Sequence, residues 1–141
     1  MITTNTMSNK SSGDKFEVRL AQILADNGFW VHRFAPNAFG QPADIIAVKT
    51  EFPYLIDCKV CKHDSFALSR IEPNQEFAMM RWESCGNSTP WFAMETSEGI
   101  YMMSYQSLHK LKYRDGQSVV GLKQMNTVGM TLNNWMEVMT R

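Results

Sequence analysis

The sequence predicts an α/β protein, a mixed β-sheet flanked by helices. Apolar residues recur at helical spacing in two stretches, with Phe16, Leu20, Ile23 and Leu24 in one and Ala78, Met79, Trp82 and Cys85 in the other. Five short runs rich in β-branched and aromatic residues read as strands: 29–34, 44–49, 52–60, 90–95 and 99–104. The resulting order of helix, three strands, helix and two strands packs helices against a mixed sheet.

A chain of 141 residues can bury one core, and its 44% apolar and 20% charged composition is that of an ordinary globular protein. Residues 13–141 are therefore read as a single domain, preceded by a Ser/Thr/Asn-rich tail over 1–12 that shows no periodicity and is expected to be disordered. No apolar run is long enough to cross a bilayer. The first residues lack the apolar segment of a secretory signal, so a cytoplasmic location without membrane association is expected. Cys58, Cys61 and Cys85 are an odd number and form no disulfide framework. The formal net charge is zero, so contact with nucleic acid requires a local basic patch.

The first helix is expected to open at Gly13–Asp14, with Ser12 or Asp14 as its cap, and to end at Asn27–Gly28. Glu17 lies at the edge of its apolar stripe. Taken alone it reads as a first-turn acid favoured by the helix dipole. The strand 29–34 follows, carrying His32 and Arg33 near its end, where they are within reach of a phosphate. A tight polar connection at Thr50–Glu51 joins strands 44–49 and 52–60. The loop 62–72 leads to Pro73, suited to a first helical position, and the second helix should run to Cys85, stopped by Gly86–Asn87. A hairpin over 90–104, a short helix over 104–111, a weak strand or loop over 116–122 and a small helix over 131–139 complete the reading. Residues 124–130 give no legible signal.

The chemistry concentrates in 41–61, QPADIIAVKTEFPYLIDCKVC. Alternation puts Phe52, Tyr54, Ile56, Cys58 and Val60 on one, buried face, and Leu55, Asp57 and Lys59 on the other. Asp44 arrives from the neighbouring strand. Carboxylates on a sheet are costly unless paired or metal-bound. A structural Asp57–Lys59 ion pair is the plain alternative. With Asp44 adjacent, Glu17 upstream and Gln75 at the head of the second helix, the pattern points instead to a metal-dependent site. Asp44, Asp57 and the main-chain carbonyl of Cys58 offer the hard oxygen ligands that Mg²⁺ prefers, with Mn²⁺ as a substitute. Lys59 is placed to orient a water or neutralise a phosphate, Glu17 to complete the outer shell and Gln75 to hold a water.

Other chemistries fit less well. Cys58 and Cys61 have half a zinc-knuckle spacing but fall on opposite faces of a strand, and only Cys85, His32, His63 and His109 remain as soft ligands. No phosphate-binding glycine motif or nucleophile motif appears. Lys62, His63, Arg70 and Arg81 are the nearest candidates for DNA contact, with Lys110, Lys112 and Arg114 as a second patch.

The series Glu17, Asp44, Asp57-Cys-Lys59 and Gln75 resembles the PD-(D/E)XK nuclease superfamily. More narrowly, the run SFALSRIEPNQEFA, the helix, Gly86 and the pair WFAMETSEGIYMMS are similar to the RecU-like Holliday-junction resolvases, also called penicillin-binding-protein-related factor A. The resemblance spans residues 13–110. It implies a restriction-endonuclease-like fold, Mg²⁺-dependent endonucleolytic hydrolysis of DNA, with branched DNA among the expected substrates, and a homodimer. It also implies catalytic roles for Glu17, Asp44, Asp57, Lys59 and Gln75. The chain departs from the family in having Asp57 where Glu is usual, and in lacking a long insertion before Asp44. DNA cleavage is thus better supported at this level than junction cleavage. Two other readings are a nuclease fold that binds nucleic acid with little or no catalysis, and a subunit assembled through its Met- and Trp-rich end.

Overall fold

The computed structural model describes residues 3–35 and 40–139. Its main sheet has six strands in the order β1 (Trp30–Arg33), β2 (Ile45–Lys49), β3 (Phe52–Val60), β5 (Trp91–Thr96), β6 (Gly99–Ser104) and β8 (Met130–Thr131). Only β3 and β5 pair in parallel, joined by a crossover that contains helix α2 (Pro73–Ser84). The other neighbours are antiparallel. The sheet is mixed, as expected.

Each face carries a core. Helix α1 (Thr3–Asp26) lays Phe16, Leu20 and Leu24 on one face, where they meet Ile45, Ala47, Tyr54, Ile56, Trp91 and Trp135. The second core joins Met79 of α2 to Phe92, Met94 and Met103, and to Tyr105 and Leu108 of helix α3 (Tyr105–His109). Alternation explains the division, since Trp91 and Ala93 face one core while Phe92 and Met94 face the other. Helix α5 (Leu132–Met139) supplies Trp135, which stacks on Phe29 with ring centroids 5.7 Å apart.

Several elements differ from expectation. Helix α1 begins at Thr3, so residues 3–12, expected as a disordered tail, are helical and Ser12 and Asp14 are not its caps. Once nucleated, a helix propagates through polar residues of modest propensity. Residues 1–2 lie outside the described residues. Phe52, assigned to the buried face, is 56% exposed because it sits at the tip of the hairpin. Cys85, assigned to the inward stripe, is exposed as the cap that ends α2.

Part of the loop 62–72 is a strand, β4 (Ser65–Ala67), paired with β7 (Val119–Gly121) in a second small sheet. After α3 the chain continues as a π-helical turn, Lys110–Arg114. The illegible stretch holds helix α4 (Leu122–Thr127) and the lead into β8. Gly129 is required there. A Cβ at this position would lie 2.6 Å from the Met102 carbonyl oxygen and 2.7 Å from that of Met125.

Candidate active site

The β2–β3 hairpin turns on Thr50 and Glu51, both with positive φ (54° and 72°), the geometry of a two-residue turn matched to strand twist. The turn fixes the register. Ile45 pairs with Ile56, which leaves Asp44 beside Asp57. Asp44 is then held twice. Its N–H donates to the Ile56 carbonyl at 3.2 Å, and its Oδ2 accepts from the Cys58 N–H at 2.7 Å.

Asp57 is 3% exposed. Burial, reinforced by the Asp44 carboxylate and only partly offset by Lys59, pushes its carboxyl up to about 8. Lys59 Nζ lies 3.1 Å from Asp57 Oδ2, yet Oδ2 has no aligned hydrogen-bond partner. The ammonium forms an ion pair with this oxygen, and the Asp44 carboxyl stands on the other side of the Asp57 carboxyl. The ion pair expected as the plain alternative is thus present, and it leaves Asp57 as one of two adjacent carboxyls served by one lysine.

Glu17, Asp44, Asp57, Lys59 and Gln75 line one cleft of about 300 Å³, together with the Cys58 backbone position. All the residues proposed for catalysis from sequence therefore come together. Glu17 is drawn in by Arg33, whose Nη2 donates to Oε1 at 3.3 Å. Burial and Asp44 raise the Glu17 carboxyl, while Arg33 opposes them. Arg33, expected to reach a phosphate, is instead engaged with this acid.

The cleft also contains Gly13, Gly40, Gln41, Glu72 and Asn74, to which the sequence reading gave no catalytic role. Asn74 caps its neighbour, with Oδ1 accepting from the Gln75 N–H at 3.0 Å. Position could have signalled Glu72 and Asn74, because both flank the Pro that starts α2. That helix directs its N-terminus, the positive end of its dipole, at the cleft.

Lys62 and Arg70 line a neighbouring cleft of about 370 Å³ with Ser12, Val60, Ser65 and Ala67. His63 is exposed beside them, in a left-handed conformation (φ 55°) shared by Asp64. Asp64 anchors this bend, accepting from the Ser97 N–H at 2.7 Å and the Ser97 hydroxyl at 2.5 Å. Arg81 is exposed on α2 and lines neither cleft. In the second basic patch Lys112 lies 3.6 Å from Glu76, and Arg114 pairs with Asp115 at 3.2 Å.

Cys58 packs toward the α1 core and Cys61 toward the other, so they do not form half a zinc site. Burial and the surrounding carboxylates hold the Cys58 thiol well above its ordinary range. Among the described residues no three His, Cys, Asp or Glu side chains converge as a metal cage. Two carboxylates and open coordination suit an ion that keeps several waters.

A mixed sheet with two acids and a lysine on adjacent strand ends defines a nuclease of the PD-(D/E)XK class, a structure-specific, metal-dependent endonuclease. The family model described as archaeal Holliday junction resolvase (Hjc) matches residues 8–140, and the chain belongs to that family. The superfamily reading holds, and the family matched is the archaeal one rather than the RecU-like one. The fold is similar to that of Hjc from Archaeoglobus fulgidus, a Holliday junction resolvase from an archaeal hyperthermophile. The TM-score is 0.67 at 19% identity, covering 89% of this chain and 96% of that one. No curated protein matches the chain. Among the described residues no helix is long and apolar enough to cross a membrane.

Proposed function

We propose that the chain cleaves branched DNA, four-way junctions included, at the Asp44–Asp57 cleft with magnesium as its working ion and manganese as a substitute. One observation carries this reading: the buried carboxyl of Asp57 lines one cleft with a second carboxylate, Asp44, and with the Lys59 ammonium 3.1 Å from its Oδ2. Asp44, Asp57 and the Cys58 carbonyl would hold the ion, a hard oxygen set that fits it. Bound there, the ion supplies charge stabilisation to the phosphate and acidifies a water.

The chain's own groups do the rest. Lys59 neutralises charge developing on the phosphate oxygens. Glu17, steadied by Arg33, accepts a hydrogen bond from water at the edge of the cleft. Gln75, fixed at the start of α2, orients a second polar group there. The α2 N-terminus favours the incoming phosphate. Lys62, His63 and Arg70 hold flanking phosphates, and Arg81 adds a more distant contact.

A junction presents two strands to be cut, which two copies related by a twofold axis would address together. Phe77 (72% exposed) and Met80 (54% exposed) give α2 an apolar face for the second copy. Light scattering on Phe77→Asp should show monomers, and an unchanged dimer would move the interface elsewhere.

The deciding experiment is cleavage of four-way junction, flap, plain duplex and single strand by wild type and Asp57→Asn, with Mg²⁺, Mn²⁺ or EDTA. Metal-dependent cutting of branched substrates, lost in the variant, is expected. DNA binding without cutting by the wild type would reduce the site to a binding surface.

A further inference from the structure

The edge strand β1 and Phe34, the residue that follows it, carry a row of rings that the cleft does not use. Trp30, His32 and Phe34 alternate with Val31 and Arg33, so they share one sheet face. The register Trp30 to Val48, His32 to Ile46 and Ile46 to Leu55 places that face on the same side as Asp57, two residues beyond Leu55. None of the three rings belongs to either core. Trp30 is 63% exposed, and its ring runs nearly parallel to that of His32, at 6.2 Å and 13°. The His32 and Phe34 rings are 5.9 Å apart, edge to face. The row ends at the site, because the Phe34 N–H donates to the Asp44 carbonyl at 2.9 Å.

We propose that this row is a stacking platform for unpaired nucleobases of the branched substrate, beside the strand to be cut. The proposal rests on the reading of the cleft as a DNA-cleaving site. Every base presents a π face, so flat side chains on a rigid strand hold splayed nucleotides without reading sequence. A continuous duplex keeps its bases stacked internally and offers nothing to such a platform. The row therefore gives the chain a means to prefer branched DNA. The surface is a narrow strip that runs directly into Asp44, whereas α2 offers a second copy the broader pair Phe77 and Met80.

The test is binding in EDTA to a fork with unpaired arms and to a blunt duplex of equal length, for wild type, Trp30→Ala and Trp30→Phe. Trp30→Ala should weaken fork binding roughly 5- to 150-fold, the range for one lost base stack. Duplex binding and the salt slope should not change, since stacking releases no counterions. Trp30→Phe should keep most of the affinity, and fork-induced quenching of tryptophan fluorescence should disappear in Trp30→Ala. His32→Ala serves as the second variant if Trp30→Ala melts early. Equal losses on fork and duplex, or no loss on either, would overturn the platform. A halved mass for Trp30→Ala in light scattering would make the face an interface between copies and also overturn it. A wild type that binds neither DNA would remove the reading of the cleft itself.

Discussion

Two grooves of this molecule differ in size and in electrostatics, and the proposed chemistry lies in the smaller one. The larger, about 690 Å³, lies between α1, the β5–β6 hairpin and the start of α5, lined in part by Arg19, Glu95, Thr96 and Leu132. Its Arg19 forms an ion pair with Glu95, and the Thr96 hydroxyl donates to the Gly99 carbonyl at 2.8 Å. The smaller groove, about 300 Å³, holds Asp57 beside Asp44 and Lys59, with the Asp57 carboxyl pushed up to about 8. Volume alone would choose the other groove. The site proposed for function lies where the fold crowds two carboxyls against one lysine, a strain that a bound cation would relieve.

The contrast is broken most directly at Asp57. Asp57→Asn removes a proposed ligand, so cleavage should fall by more than about 100-fold, beyond the 10- to 100-fold typical of losing an outer-shell group. The same variant should melt no lower than wild type in EDTA at pH 9, since a neutral amide ends the repulsion from Asp44. In the larger groove Glu95→Gln should leave cleavage unchanged and cost at most about 1 kcal/mol, the worth of a part-exposed ion pair. Calorimetry and a cleavage assay on both variants separate the grooves. A stability loss at Asp57 equal to or greater than that at Glu95 would mean Asp57 is a structural residue after all.

Arg33 sharpens the comparison because it pairs with Glu17 at the rim of the cleft. Arg33→Ala should let the Glu17 carboxyl rise further and lower cleavage by about 10- to 100-fold, with little change in duplex binding. Arg33→Lys should recover only part of the activity, because an ammonium lacks the guanidinium fork. A parallel loss of binding would return Arg33 to the role of a phosphate contact.

The pH dependence follows from Asp57. Its folded carboxyl lies above the unfolded value of 3.8, at about 8. Its contribution to stability is therefore complete below 3.8 and disappears as the pH rises through about 8. Metal must displace that proton, so Mn²⁺ affinity should climb about tenfold per pH unit up to about 8 and level off above it. Titration calorimetry in buffers of different ionisation enthalpy reads the released proton directly. Affinity independent of pH between 6 and 8 would show that the ion does not engage Asp57.

The smaller groove was legible in the sequence because its parts are local. Alternation along 52–60 placed Asp57 and Lys59 on one face, and the two-residue turn left Asp44 beside them. Glu17 and Gln75 followed from helical spacing and from Pro73. The pairing of β4 with β7 was not legible, since two three-residue strands more than fifty positions apart are too short to show a period. Residues 124–130 were opaque for a related reason. Gly129 is needed because the Met102 and Met125 carbonyls crowd it, and nothing in its neighbours announces that contact. Nor could composition show that Arg33 would turn to Glu17, or that Lys112 would approach Glu76.

The smallest expected effect concerns the basic residues between the cleft and solvent. Arg70 lies against its own chain, donating to the Val60 carbonyl at 3.1 Å and resting over the Phe66 ring at 5.3 Å, so its guanidinium is preorganised beside Lys62. If each meets one phosphate, Lys62→Ala with Arg70→Ala should flatten the plot of log binding constant against log salt by roughly 1.8 for duplex DNA. The change should be the same on duplex and fork, because phosphate contacts carry no information about base pairing. That uniformity is what sets these cations apart from the carboxylates of the cleft. An unaltered slope would leave Lys62 and Arg70 as scaffold for the strained His63–Asp64 bend, whose anchor is Ser97 and not DNA.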